Sequence, residues 1–209
     1  MTIVARNSVA GLGVSRETFE RLEAFVALVK RWNPAINLIS KSAVRDIWGR
    51  HIIDSAQLFA FCPPLANRWI DIGSGGGFPG LVIAILAKEA LPDLRVTLVE
   101  SDQRKATFLR QAAQSLDLSV TVLGNRVESV PALEGDVISA RALAPLGELF
   151  HLVDGHVCHD GVALFAKGAR YALELDEARK DWRFDVTVHP SISDPAAAIL
   201  EIRNINREH

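Results

Sequence analysis

The chain has 209 residues, 49% of them hydrophobic and 23% charged, with a net charge of −2, which suits one globular domain with a full core and excludes a disordered or low-complexity protein. Its longest apolar run, residues 81–87, is far short of the ~18 residues a membrane span needs; the first residues lack a signal-peptide pattern, and Cys62 and Cys158 make no disulfide framework, so a cytoplasmic protein without a membrane partner is expected. Residues 1–70 hold nine basic and five acidic side chains, a balance of +4, and the rest of the chain carries −6, so any contact with nucleic acid must rest on particular arginines rather than on net charge.

Residues 1–14 have no periodic pattern and close on Ala10, Gly11 and Gly13, which predicts a mobile end. Ser15 offers an N-cap with Glu17 in the first turn, and Phe19, Leu22, Phe25, Val26, Val29 and Trp32 mark one face of a helix that should stop near Asn33-Pro34. A second helical segment is expected over 42–61, with Arg50 and Asp54 spaced as an i, i+4 surface ion pair. His51 lies on its apolar side, as a packing residue or a site member. Residues 1–65 thus form a helical extension, and 66–209 form the main domain beyond the break at Cys62-Pro63-Pro64.

From 68 onward, strands at 68–72, 95–100, 118–123, 135–140, 161–166, 183–189 and 197–204 alternate with helices at 79–90, 102–116, 145–158 and 170–180. The pattern predicts an α/β fold: a seven-stranded, mostly parallel sheet covered by helices. No helix separates the last two strands, so they should pair as an antiparallel hairpin at one edge.

The function argument centres on residues 68–80, where strand residues Trp69, Ile70 and Ile72 lead into glycines 73, 75, 76, 77 and 80 and then into an apolar helix. A strand, a glycine turn and a helix allow a ligand to approach the backbone closely. Asp71 ends the first strand and Glu100 the second, where an acid can accept hydrogen bonds from a ribose. A nucleoside ligand follows. Residues 75–80 match G-x-G-x-x-G, the pattern of NAD enzymes, and 71–77 match the D-x-G-x-G-x-G of S-adenosylmethionine enzymes. The hairpin favours the methyl donor, and the lone Tyr171 has Leu175, not Lys, four residues on, leaving an NAD-dependent dehydrogenase as a minor alternative.

Neither cysteine has the setting of a nucleophile, and His151, His156, Cys158 and His159 crowd one helix end without paired zinc spacing, so no metal is expected. Guanine N7 carries a lone pair and no proton, so methylating it needs alignment rather than a strong base. Arginines with few acid–base residues suit that chemistry. Arg126 with Glu128, Arg141, and Lys167 follow the third, fourth and fifth strands and converge on one rim; each is otherwise a solvated loop charge.

Trp32-Asn33 with Asn37-Leu38, Arg50-His51 with Asp54-Ser55, the 71–80 turn, Arg126-Val127-Glu128 and Ser139 with Arg141-Ala142 resemble, in this order, the bacterial 16S rRNA guanine-N7 methyltransferases, once called glucose-inhibited division protein B. The resemblance covers residues 30–205. It implies a Rossmann-like class I methyltransferase fold that uses S-adenosylmethionine to methylate a guanine of 16S rRNA, within the small ribosomal subunit or its precursor, near the decoding site; a monomer is expected because nothing in the sequence suggests a large exposed apolar patch. By that pattern Gly73, Gly75 and Phe78 line the cofactor, with Asp71 and Gly77 in the same turn. Val127 and Glu128 meet its adenine, Arg141 stands beside methyl and guanine, and Arg126 contacts cofactor or RNA; Arg141 and Arg126 are the catalytic candidates. Gly76 and Phe78 stand where relatives often have proline and leucine. A non-catalytic, RNA-binding assembly factor on the same fold is the reading from another class.

Overall fold

The computed structural model describes residues 4, 5 and 7–208. Three two-residue strands, β1 (Val4–Ala5), β2 (Ser8–Val9) and β3 (Leu12–Gly13), open the chain as an antiparallel meander. This corrects the expected mobile end over 7–14; residues 1–3 and 6 lie outside the described residues. Ala10 and Gly11, at φ 53° and 81°, make the left-handed pair of a tight hairpin, and Val9 is fully buried. Strands so short carry no alternation to read.

Helix α1 (Arg16–Ile36) begins where expected, with Ser15 Oγ accepting from the Thr18 amide at 3.1 Å. It passes Pro34, because a proline in the last turn removes only one intrahelical hydrogen bond. Asn37, at φ 51°, ends the helix with its N–H on the Asn33 carbonyl (3.0 Å), and Asn33 Oδ1 accepts from the Ile39 amide (2.8 Å). The two asparagines cap and turn the chain.

The segment expected as one helix over 42–61 splits into a 3-10 turn (Ala43–Asp46), a π turn (Trp48–Ile53) and α2 (Asp54–Phe59). A π turn shifts the side-chain register by one position. Arg50 and Asp54 therefore lose their i, i+4 alignment, and among the described residues no ion pair joins them.

The main sheet is built from β4 (Arg68–Ile72), α3 (Gly80–Ala90), β5 (Arg95–Val99), α4 (Gln103–Ser115), β6 (Val120–Leu123), β7 (Gly135–Arg141), α5 (Leu146–Val153), β8 (Val157–Lys167), α6 (Tyr171–Ala178), β9 (Trp182–Pro190) and β10 (Ala198–Arg207). The strand order is β6-β5-β4-β7-β8-β10-β9; β4 to β8 pair in parallel, and β10 runs antiparallel between β8 and β9. The expected sheet and hairpin are present, with the last strand inserted inside the edge. Helix α5 stops at Val153 because Gly155 turns the chain at φ 74°, so Cys158 and His159 belong to β8 and the histidine cluster dissolves. Among the described residues no group of three potential metal ligands forms, and no helix is long and apolar enough to cross a membrane.

Alternation along the strands splits the core. Trp69, Leu98, Val137 and Leu164 face α1, α3 and α4, while Ile70, Val99, Ile138 and Phe165 face α5 and α6. Phe25 packs on Phe78 and Trp32 on Phe108, so the extension shares one core with the sheet.

Candidate functional site

The chain leaves β4 to build β5 and β6 on one side and then crosses back to β7, which puts a topological switch point between β4 and β7. Ligands of open α/β sheets bind outside the strand ends at this place. The glycine turn stands there. Gly73 and Ser74 donate their amides to the Val99 carbonyl (2.9 and 3.1 Å), and Gly73, Gly75 and Gly77 take φ values of 66°, 52° and 88°. Beside Gly75 the space is open: a Cβ there would meet only the Gly73 carbonyl oxygen, at 3.7 Å.

Asp71 lies behind the turn rather than in it. It is fully buried; Oδ2 accepts from the Gly80 amide (3.1 Å) and Oδ1 from the Ser139 hydroxyl (2.7 Å), which itself accepts from Trp69 Nε1 (2.9 Å). Burial pushes its carboxyl up to about 6, against the hydrogen bond from Ser139. The sequence marks Asp71 as a cofactor contact; in the structure its carboxylate is enclosed behind the turn and holds the Gly80 amide and the Ser139 hydroxyl. Ser139 enters the sequence reading only as part of a motif; β7 sets it opposite Asp71, where a buried acid needs a donor across the strand pair.

Glu100 is 7% exposed, with Oε2 accepting from Gly75 (2.7 Å) and Oε1 from Asp102 (2.8 Å). Each oxygen keeps a lone pair beyond these bonds. After β6, Arg126 and Glu128 are exposed and Val127 is buried in a short 3-10 turn (Val127–Ser129).

Arg141 ends β7, and its side chain is 17% exposed. Its Nε pairs with Asp54 Oδ2 at 2.9 Å and its Nη2 donates to the Arg50 carbonyl at 2.7 Å. The sequence reading missed this pairing, because the π turn that frees Asp54 leaves no mark in residue spacing. Asp54 also accepts from Ser193 Oγ (2.6 Å) and Gln57 Nε2 (3.0 Å), tying α2 to the β9–β10 loop. Arg126 and Arg141 stand three strand positions apart, about 14 Å by sheet spacing, so the structure does not bring the two catalytic candidates onto one reacting atom.

Between Arg141 and the β9–β10 loop opens a cleft of about 600 Å³, lined among others by Arg50, Asp54, Lys167, Glu174 and Asp194. Lys167 donates to the Ala144 carbonyl and to Glu174, both at 2.7 Å, and so is an internal tie rather than a free rim charge. His51 projects from the π turn and stacks on Phe78, ring centroids 4.7 Å apart. Burial, then the charges of Arg141 and Arg50, pull it down to about 3.

A family model described as GidB, rRNA small subunit methyltransferase G, matches residues 18–202. Two relatives described as ribosomal RNA small subunit methyltransferase G are similar over almost their full length. The one from Ruegeria sp. (strain TM1040) is 50% identical over 196 residues, 94% of this chain and 95% of the relative. The one from Cereibacter sphaeroides (strain ATCC 17025 / ATH 2.4.3) is 53% identical over 192 residues, 92% of each. Among solved structures the fold is shared with the mitomycin 7-O-methyltransferase MmcR (TM-score 0.59, 17% identity, 90% of this chain and 70% of that one). It is shared also with M. jannaschii TYW2 in complex with AdoMet (TM-score 0.55, 14% identity, 79% and 80%). The family match starts in α1 and runs into β10, taking in the helical extension, the glycine turn and the inserted last strand alike; the dehydrogenase alternative is set aside, and this chain belongs to the rRNA small subunit methyltransferase G family.

Proposed function

We propose that the chain transfers a methyl group from S-adenosylmethionine to N7 of a guanine in 16S rRNA, near the decoding site of the small subunit or its precursor. The observation that carries the guanine-N7 reading is the state of the acids around the cleft. The two partly buried acids of the cleft are both neutralised, Asp54 by Arg141 with a further bond from Ser193 and Glu174 by Lys167, and Asp194, bonded by the Ala196 amide at 2.9 Å, lies exposed on the outer loop. A nitrogen that loses no proton on methylation is the acceptor such a site suits.

S-adenosylmethionine, when bound, supplies an electrophilic methyl on a sulfonium. Gly73, Gly75, Gly77 and Phe78 line it, and the open space at Gly75 fits a ligand lying against the backbone. Glu100 accepts from its ribose, Val127 and Glu128 flank its adenine, and Asp71 positions the turn. Arg141 holds the guanine edge or its phosphate with Nη1, which has no protein partner among the described residues. Arg126 belongs to the adenine end, where it meets cofactor or RNA. The chain works as a cytoplasmic monomer on rRNA.

Tritiated methyl transfer to small subunits from cells lacking the enzyme tests the reading, with the modified base mapped by reduction and cleavage. Label at a guanine N7 of 16S rRNA is expected; label elsewhere, or none, overturns it. A chain that binds the subunit and transfers nothing would be an assembly factor.

A further inference from the structure

Both ring nitrogens of His51 are shut off from solvent and have no hydrogen-bond partner. A neutral imidazole always presents one N–H donor and one lone pair, and leaving both unpaired is costly. Phenylalanine or leucine would fill the stack on Phe78 without that cost, so packing alone does not account for a histidine here. Its backbone is unusual as well: π turns cost more than α turns and concentrate at functional sites. This one turns the Arg50 carbonyl to Arg141 and the His51 ring to the glycine turn.

We propose that His51 is a positioning residue for the acceptor base, holding the guanine by a hydrogen bond from its uncharged imidazole to the edge that carries N7; the inference rests on the guanine-N7 reading above. The placement selects the base rather than the cofactor. Arg50, one residue before, and Asp54, three after, line the cleft with Arg141, whereas Glu100 and Val127 mark the nucleoside end. The His51 ring stacks on Phe78 of the turn and does not itself line the cleft, so meeting the base requires the ring to turn from the stack toward its cleft-lining neighbours Arg50 and Asp54. Guanine O6 neighbours N7 on one edge, so a donor presented to O6 fixes the position of N7. The imidazole must stay uncharged, because the methyl donor is a cation and the base becomes one as it is methylated. Burial first of all, then Arg141 and Arg50 by repelling a further positive charge, hold it so.

The test compares wild type, His51→Phe and His51→Gln for S-adenosylmethionine binding by calorimetry and for methyl transfer to undermethylated small subunits. His51→Phe keeps the stack and loses the hydrogen bond; kcat should fall about 100-fold with cofactor affinity unchanged. His51→Gln, which restores a donor, should recover to within about tenfold of wild type. A His51→Phe enzyme with wild-type kcat overturns the proposal, and so does one whose defect lies in cofactor binding. Should His51→Phe fail to fold, histidine 15N spectra of the wild-type chain with S-adenosylhomocysteine decide. Adding guanosine 5′-monophosphate should shift the His51 ring nitrogens; shifts at Arg141 without any at His51 would overturn it. If the wild type itself places no methyl on N7, the parent reading fails first, visible before any variant is scored.

Discussion

Asp71→Asn probes how the turn is held. The Asp71 carboxyl is wholly enclosed, and burial lifts it from 3.8 to about 6. A folded state that keeps a proton the unfolded chain has given up loses stability as pH rises between those values. Below 3.8 both states are protonated and the group contributes no penalty; above 6 both are ionised and the penalty is complete. A shift of about two units at roughly 1.4 kcal/mol each makes this about 3 kcal/mol. Asparagine carries no charge, so its stability lacks this component. It also cannot accept from both Gly80 and Ser139, a pH-independent loss of about 1 kcal/mol. Urea unfolding of both proteins from pH 3.5 to 7.5 cancels every other titrating group in the difference. Wild type should lose about 3 kcal/mol relative to the variant between pH 4 and 7. A difference that stays level across this range would refute the account of Asp71 as a buried acid organising the turn.

Gly80→Ala should lower stability by about 2 kcal/mol in thermal unfolding, since a Cβ there would come within 2.6 Å of Asp71 Oδ2 and press on Leu98; an unchanged melting temperature counts against the tight joint behind the turn. Glu100→Ala removes the acceptor shared by Gly75 and Asp102 and should weaken S-adenosylmethionine binding about 10- to 100-fold by calorimetry, with full affinity excluding the ribose role. Arg141→Ala should cut methyl transfer at least about 100-fold while the circular-dichroism spectrum stays that of wild type. Undiminished transfer would remove Arg141 from the site.

The elements from 68 onward were legible because the strands are short apolar or alternating runs, those of β4, β6, β8 and β9 closed by Gly73, Gly124, Gly168 and Pro190, with longer helical stretches between most of them. The glycine turn and Glu100 were legible for the same reason: a strand end fixes where its last side chain sits. What spacing could not reveal was anything set by a departure from regular geometry. The π turn at Trp48–Ile53 breaks the i, i+4 register on which the Arg50–Asp54 expectation relied, and it delivers Asp54 to Arg141 instead. Gly155 ends α5 five residues before Cys158, which a helical period running through apolar Val153 and Val157 concealed. Lys167 reads as a free charge from its position after a strand, yet the partner that neutralises it, Glu174, lies on the next helix.

The placement of β10 between β8 and β9 bears on how the chain is made. During synthesis β8 emerges with one side paired to β7 and the other bare, and β9, emerging next, has no parallel contact with it in the finished sheet. Only when residues up to Ile202 have cleared the ribosome can the final strand slide into the gap and close both edges at once. Until then the nascent protein carries an open, apolar strand edge, the kind of surface that recruits chaperones or neighbouring chains.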